Sequence, residues 1–549
     1  MDIQNSQQKP KKMFGSFIGY VFMINYILGV GILEIPYSFE ASGLLLSAIF
    51  LLVVTFFSST TMMYVVEVEG RAEGIVSYFE EKKQEQNLPQ NPNNLSESND
   101  SDNNQQDPIE DQTQNLIFDE KEISRFEIKN RKFEVNEMCN LFLGKFGKRF
   151  FTFASTCYLY GALWSYASVF STSLIRILPL TFLTHGDLCE IDGKLTSGCQ
   201  YNYYLYMVLF ALISIPLSCL DLSEQIIVQT ALFIFRLFSL LLILVTTIIA
   251  MHTVKKDNHP DKPPYIGTKK LFDFKGVAYI FTNAIFSQLV HHSTTIIAEP
   301  VKKKRKLRVI FNSAFLTTYF FYSTLGIVCA MYFGENVLSV ISLNWIELEL
   351  FKSATTWRYI VEYCVVIFPV IEVLSAFPLH AITLGNNMYF AVYPVQKDPI
   401  PFDKLMKEQE KTEKKEEPEQ QEDQRRDTRD EMIADEDLTL LPYHKKKGSK
   451  KKKILFRLIA SIPPIIGACL IRKLPDIIIM NGTFGCFIAY LIPSLLAWKS
   501  KKIAQQIFGK SKTPYSNWLS NDIFIWISFG FGVFSFFVIW IIILINFLS

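Results

Sequence analysis

Blocks of about 20 consecutive, mostly apolar residues recur along this chain, and that is the length an α-helix needs to cross the hydrocarbon core of a bilayer. They fall at residues 14–36, 44–66, 150–177, 204–220, 226–251, 277–297, 309–332, 359–384, 454–470, 477–498 and 523–548, which predicts about eleven spans. Backbone groups facing lipid must be hydrogen-bonded within their own segment, so such blocks fold as helices. A transmembrane barrel would need many short alternating segments, and that pattern is missing from the sequence. The expected class is an all-α integral membrane protein embedded in a lipid bilayer.

Only 49% of the 549 residues are hydrophobic, because apolar and charged residues are segregated along the chain. The polar residues 1–13 form a tail, and residues 14–66, 145–392 and 454–549 form the membrane core. The first apolar block has no small-residue cleavage site behind a short core, so it reads as a retained helix and not a signal peptide. Two hydrophilic insertions interrupt the core, at residues 67–144 and 393–453. The centre of the first, residues 84–114, is rich in Asn, Gln, Asp, Glu and Ser and cannot bury enough apolar surface to fold. Part of the second, residues 404–429, alternates charges at a spacing that suits a solvated helix.

Basic runs at Lys11-Lys12 and at residues 145–149, 302–306, 446–453 and 499–502 flank one side of an eleven-span arrangement. Positive charge is retained in the cytosol, so the N-terminus and both insertions are expected there. Lys255, Lys256, Lys269 and Lys270 run against this rule, since they fall in an expected outer loop. The sequons at Asn94 and Asn99 would be silent in a cytosolic insertion. Net charge is +2, which implies no nucleic-acid partner. Of nine cysteines, only Cys189 and Cys199 fall in an expected outer loop, where disulfides persist, and they are expected to pair. Cys139, Cys157, Cys219, Cys329, Cys364, Cys469 and Cys486 read as small buried apolar residues.

Two spans carry signs of a break. In the first, Gly29 and Gly31 flank Val30 in mid-span and Pro36 follows. Each glycine weakens a helix by about 1 kcal/mol relative to alanine. An unwound turn at membrane depth is tolerated only around a cavity or ligand, and a half-helix starting near Gly31 would aim its positive end at an anionic group such as an amino acid carboxylate. Close helix packing through small residues is the alternative use of the same glycines. In the sixth, Gln288, His291, His292, Ser293, Thr294 and Thr295 form a polar patch that ends in Glu299-Pro300. Interrupted spans at corresponding positions in two five-helix halves point to a transporter site. Asn25, Gly29, Val30, Gly31, Gln288, His291, His292 and Ser293 are therefore the candidate substrate-binding residues, with Tyr160 and Tyr166 of the third span placed to close over a side chain or to pack as aromatics.

The run Gly29-Val-Gly-Ile-Leu-Glu-Ile-Pro-Tyr-Ser-Phe39, followed by Ala41-Ser-Gly43, resembles the first-helix signature of the amino acid/auxin permease family, as does the His-containing sixth span. Tyr158-Leu-Tyr-Gly161, His292-Ser293, Pro300-Val301, Lys304-Arg305, the run from Phe377 to Asn387 and Tyr490-Leu-Ile-Pro-Ser494 resemble that family's transmembrane protein 104 branch. The resemblance covers the spans but not the insertions. It implies a 5+5 inverted-repeat transporter fold with broken first and sixth helices, and ion-coupled transport of amino acids.

Glu34 stands where such sequences usually carry an apolar or small residue. A charge at the bilayer centre costs about 2.5–3.5 kcal/mol on the insertion scale, so Glu34 should face a cavity and is a candidate proton carrier. Glu372 of the eighth span and the His291/His292 pair invite the same reading. Sodium coupling would instead use carbonyl and hydroxyl oxygens of the first and eighth spans, with Ser375 and Thr383 as hydroxyl donors of the latter. Adjacent histidines face different directions on a helix and have no third ligand nearby, so no metal is expected. No catalytic triad or phosphate loop occurs, so neither an enzyme nor a cofactor is expected. A non-transporting amino acid sensor or scaffold on the same fold is the alternative.

Overall fold

The structure is a computed structural model that describes residues 13, 15–87, 125–129, 133–180, 189, 195–219, 226–253, 270–347, 356–393, 402, 404 and 450–548. Every extended regular element among the described residues is a helix, in keeping with the fold class expected from the apolar blocks. In chain order the helices are α1 Ser16–Ile27, α2 Gly31–Ser42, α3 Leu44–Asn87, α4 Val135–Ile177, α5 Ser197–Cys219, α6 Ile226–Thr253, α7 Val277–Ser287, α8 Thr294–Ala298, α9 Leu307–Phe333, α10 Thr356–Val392, α11 Lys450–Leu470, α12 Leu474–Cys486, α13 Ile492–Phe508 and α14 Asp522–Leu548. A π-turn at Phe487–Leu491 joins α12 to α13.

Among the described residues eight helices are long and apolar enough to cross a membrane, or nine when the bent pair α1 and α2 counts as one span. The two expected spans that do not meet this measure differ for physical reasons. The sixth is interrupted between α7 and α8, so neither piece is long enough. The third lies on α4, which packs against α5, α10, α11 and α12 and buries Ser155, Ser165, Ser168, Ser171, Thr172 and Ser173. A helix enclosed by other helices does not need an apolar face toward lipid, so its sequence is less hydrophobic.

The first hydrophilic insertion begins as more helix. α3 continues past residue 66 to Asn87, burying Glu67, Glu69, Arg71 and Glu73. Arg71 pairs with Glu67 at 2.7 Å and also donates to the Ser511 carbonyl and the Ser500 hydroxyl, while Ser516 and Ser520 donate to Glu67. Residues 125–129 lie on this extension, with the Phe126 carbonyl against Gly70 and the Ile128 N–H donating to the Tyr515 hydroxyl. α4 then starts in a capping box between Glu134 and Glu137 and kinks at Gly144, where φ is 70°. The centre of the insertion, both sequons, most of the second insertion and Lys255, Lys256 and Lys269 lie outside the described residues.

Cys189 and Cys199 form the expected disulfide, and the other seven cysteines are free. The basic run after α8 is not all surface: Lys304 is buried and its ammonium donates to the carbonyls of Ala298 and Glu299 at the end of α8. A cation there meets the negative end of a helix.

Candidate functional site

The first span breaks between Ile27 and Gly31. Leu28 is extended (φ −71°, ψ 92°), and α2 restarts at an angle of 61° to α1. The two glycines do different jobs. A Cβ at Gly29 would meet no atom within 4 Å, so this turn borders open space. A Cβ at Gly31 would lie 2.7 Å from the Ser287 hydroxyl oxygen and 3.1 Å from Asn283 Oδ1, so Gly31 permits a close approach of α2 to the end of α7. Close packing and an unwound turn are both present, one at each glycine.

The sixth span breaks at Gln288–Val290, with a short 3-10 turn at His291–Ser293 before α8. The two breaks are joined by a buried polar chain. Ser38 donates to Glu34 at 3.1 Å, Asn283 donates to Ser38 at 3.3 Å, and Ser287 donates to Asn283 Oδ1 at 2.9 Å. Glu34 thus sits between α2 and α7, inside the protein and not against lipid.

The candidate residues divide by what they touch. Gln288 donates to Thr55 at 3.1 Å and accepts from Thr318, so it ties the break to α3 and α9. His291 places Nε2 3.0 Å from both the Thr61 hydroxyl and the Ser58 carbonyl of α3. These two side chains fasten the unwound turn to its neighbours. His292 points elsewhere, its ring 6.0 Å from that of Tyr158 on α4, and its Nδ1 makes no hydrogen bond. Ser293 is buried in the turn. Tyr160 does not reach the breaks, because its hydroxyl donates to the Ile459 carbonyl of α11 at 2.7 Å. Tyr158, two residues earlier, is the α4 tyrosine beside the sixth-span break, with its hydroxyl 3.4 Å from the Phe286 carbonyl. Tyr166 packs on His380 of α10, rings 5.2 Å apart. Thr383 donates its hydroxyl back to Leu379 of its own helix.

Asn25 and Glu372 come together through a residue the sequence reading passed over. Arg236 of α6 donates to both carboxylate oxygens of Glu372 and, from Nη1, to the Leu28 carbonyl and to the Asn25 carbonyl and side-chain oxygens. Tyr322 of α9 donates to the Ile27 carbonyl at 3.1 Å. The carbonyls left bare where α1 stops are therefore capped by a guanidinium and a phenol, which answers the need of every helix end for outside partners. The available signal was a lone charge inside an apolar run, Ile234-Phe-Arg-Leu-Phe238. Among the described residues no cluster of His, Cys, Asp or Glu could hold a metal ion.

The family described as transmembrane amino acid transporter protein matches residues 115–545, which takes in the third span onward. Over nearly the full length the chain is similar to transmembrane protein 104 of Mus musculus, at 23% identity with 92% of each chain covered. It is also similar to the transmembrane protein 104 homologs of Dictyostelium discoideum, at 25% identity with 91% of each covered, and of Drosophila melanogaster, at 21% with 93% of this chain and 95% of the relative covered. With its apolar helices, two interrupted spans and a match across most of its length, this chain belongs to the transmembrane amino acid transporter protein family.

Proposed function

We propose that this protein is a secondary active transporter of amino acids, coupled to an ion and working by alternating access around the two breaks. The observation that carries the reading is the juxtaposition of the breaks: Gly31 at the start of α2 abuts Ser287 at the end of α7, beside open space at Gly29. The first N–H groups of a helix have no intrahelical acceptor and form the positive end of its dipole. In α2 the N–H groups of Ile32 and Leu33 already donate to the Gly29 and Val30 carbonyls, so it is the positive end of the dipole together with the Gly29–Gly31 backbone that suits the carboxylate of an amino acid. Tyr158 and His292 then line the side-chain end of the site. A proton or sodium serves as the coupling ion in this reading, which also sets the N-terminus in the cytosol, supported by the basic runs.

The test is uptake by purified protein in liposomes, offered a panel of labelled amino acids under an inward ion gradient. Accumulation of at least one supports transport. Binding without accumulation would make the protein a sensor on the same fold. No binding and no uptake would remove both readings.

A further inference from the structure

Glu69 is buried in the extension of α3, and among the described residues neither of its carboxylate oxygens has a hydrogen-bond partner. α3 runs for 44 residues, about 66 Å, and Glu69 lies about 38 Å from its start, past a hydrocarbon core of about 30 Å. Around it among the described residues stand Glu73 on its own helix, Glu299 and Lys304 at the end of the sixth span, and Tyr515. Burial holds the Glu69 carboxyl well above the usual carboxylate range; Lys304 pulls it down, while Glu299 and Glu73 push it further up. The ammonium of Lys304 donates to the Ala298 and Glu299 carbonyls at the end of α8. α8 has only five residues, so it depends on that cap more than a long helix would. The start of α1 rests close by, since a Cβ at Gly19 would lie 2.9 Å from the Val301 side chain.

We propose that Glu69 and Lys304 form a proton-operated switch on the side read as cytosolic: protonated Glu69 leaves Lys304 on the end of α8, and ionised Glu69 draws the ammonium away. A buried carboxylate without a partner is costly, so ionisation calls for a cation, and Lys304 is the one beside it. Its departure bares the Ala298 and Glu299 carbonyls, which loosens α8 and the seat of α1 at Val301. As pH rises above the ordinary carboxylate range, an opened and hydrated Glu69 gives up its proton before a buried one does. The capped state therefore loses stability with rising pH until the raised value is passed, and alkaline conditions favour opening. Glu69 lies beyond the membrane core, so its proton comes from and returns to one side; it regulates opening and does not drive transport.

This inference rests on the transport reading and its orientation for its meaning, but its test does not need flux. Hydrogen–deuterium exchange of residues 294–304 is measured on the purified full-length protein from mildly acidic to alkaline buffer. Wild type, Glu69→Gln and Lys304→Met are compared at each pH, which cancels the intrinsic pH dependence of exchange. Wild type and Glu69→Gln are expected to agree in acid. In alkali the wild type should exchange faster, the ratio growing by up to about tenfold per pH unit, the limit for one proton. Lys304→Met should exchange fast throughout, and adding Glu69→Gln to it should change nothing. Equal exchange in wild type and Glu69→Gln at every pH overturns the proposal, as does faster exchange in Glu69→Gln. A pH-dependent difference between Lys304→Met and its Glu69→Gln double variant removes Lys304 as the relay and overturns it too. If Glu69→Gln does not fold, the wild type and Lys304→Met decide, and a constant ratio between them across pH sinks the switch. Uptake with no exchange difference would refute the switch and leave the transport reading intact; absent uptake with the expected exchange would do the reverse.

Discussion

Gly31 and Ser287 hold the two interrupted spans together: a Cβ on the glycine would stand 2.7 Å from the serine hydroxyl oxygen, closer than side chains tolerate. Ser287 cannot simply turn away, because it donates to Asn283, and Asn283 in turn donates to Ser38 on α2. The same contact that brings the breaks side by side therefore also limits what either helix can carry there.

Substitution at the two glycines should separate packing from function. Gly31→Ala is expected to destabilise by about 1–3 kcal/mol, the usual cost of overpacking a filled interior, and to lower the melting temperature of the purified protein. Gly29→Ala meets open space, so it should leave the melting temperature nearly unchanged while weakening amino acid binding at the turn. Equal thermal shifts in the two variants would show that the open space at Gly29 is not what sets them apart.

The two adjacent histidines should behave differently. His291→Ala removes the imidazole that joins the Thr61 hydroxyl and the Ser58 carbonyl of α3 to the sixth-span break, and losing a buried hydrogen bond costs about 0.5–1.5 kcal/mol. His292→Ala strands no hydrogen bond, and its ring faces Tyr158. Thermal melting should therefore fall mainly in the first variant, and substrate binding or uptake mainly in the second. A larger melting loss from His292→Ala would reverse these assignments.

The Glu67–Arg71 pair should act as a clasp between the extension of α3 and residues 509–521. Arg71→Ala leaves a buried carboxylate whose remaining donors are Ser516 and Ser520, and breaking one side of a buried pair costs about 3–5 kcal/mol. The double variant Arg71→Ala/Glu67→Gln should recover part of that loss. A double-mutant cycle on melting or denaturant midpoints measures the coupling, and additive effects would mean the two side chains do not support one another.

The Cys189–Cys199 bridge closes a short loop before α5, with a sequence separation of 10. Loops of this size contribute about 2–4 kcal/mol when cross-linked, so replacing both cysteines by serine should lower the melting temperature. In intact cells or right-side-out vesicles, a membrane-impermeant maleimide should label the pair after reduction and not before. Labelling only after permeabilisation would invert the proposed orientation.

The class, nine of the eleven expected spans, the disulfide and the positions of both breaks were legible in the sequence, because each rests on a local property: run length, composition, cysteine placement, or glycines and polar residues interrupting an apolar helix. Which α4 tyrosine lies beside the sixth-span break was not legible. Residues two apart on a helix point to nearly opposite faces, so Tyr158 and Tyr160 could not both reach it, and only packing chose Tyr158 over Tyr160, which donates to α11 instead. The partner of Glu372 was hidden for the same kind of reason. Arg236 lies 136 residues away in sequence, and a buried charge is matched by whatever the fold carries to it. Local chemistry reveals where a chain must depart from regular structure; what meets the exposed groups is decided by contacts between segments that have no neighbourhood in the sequence.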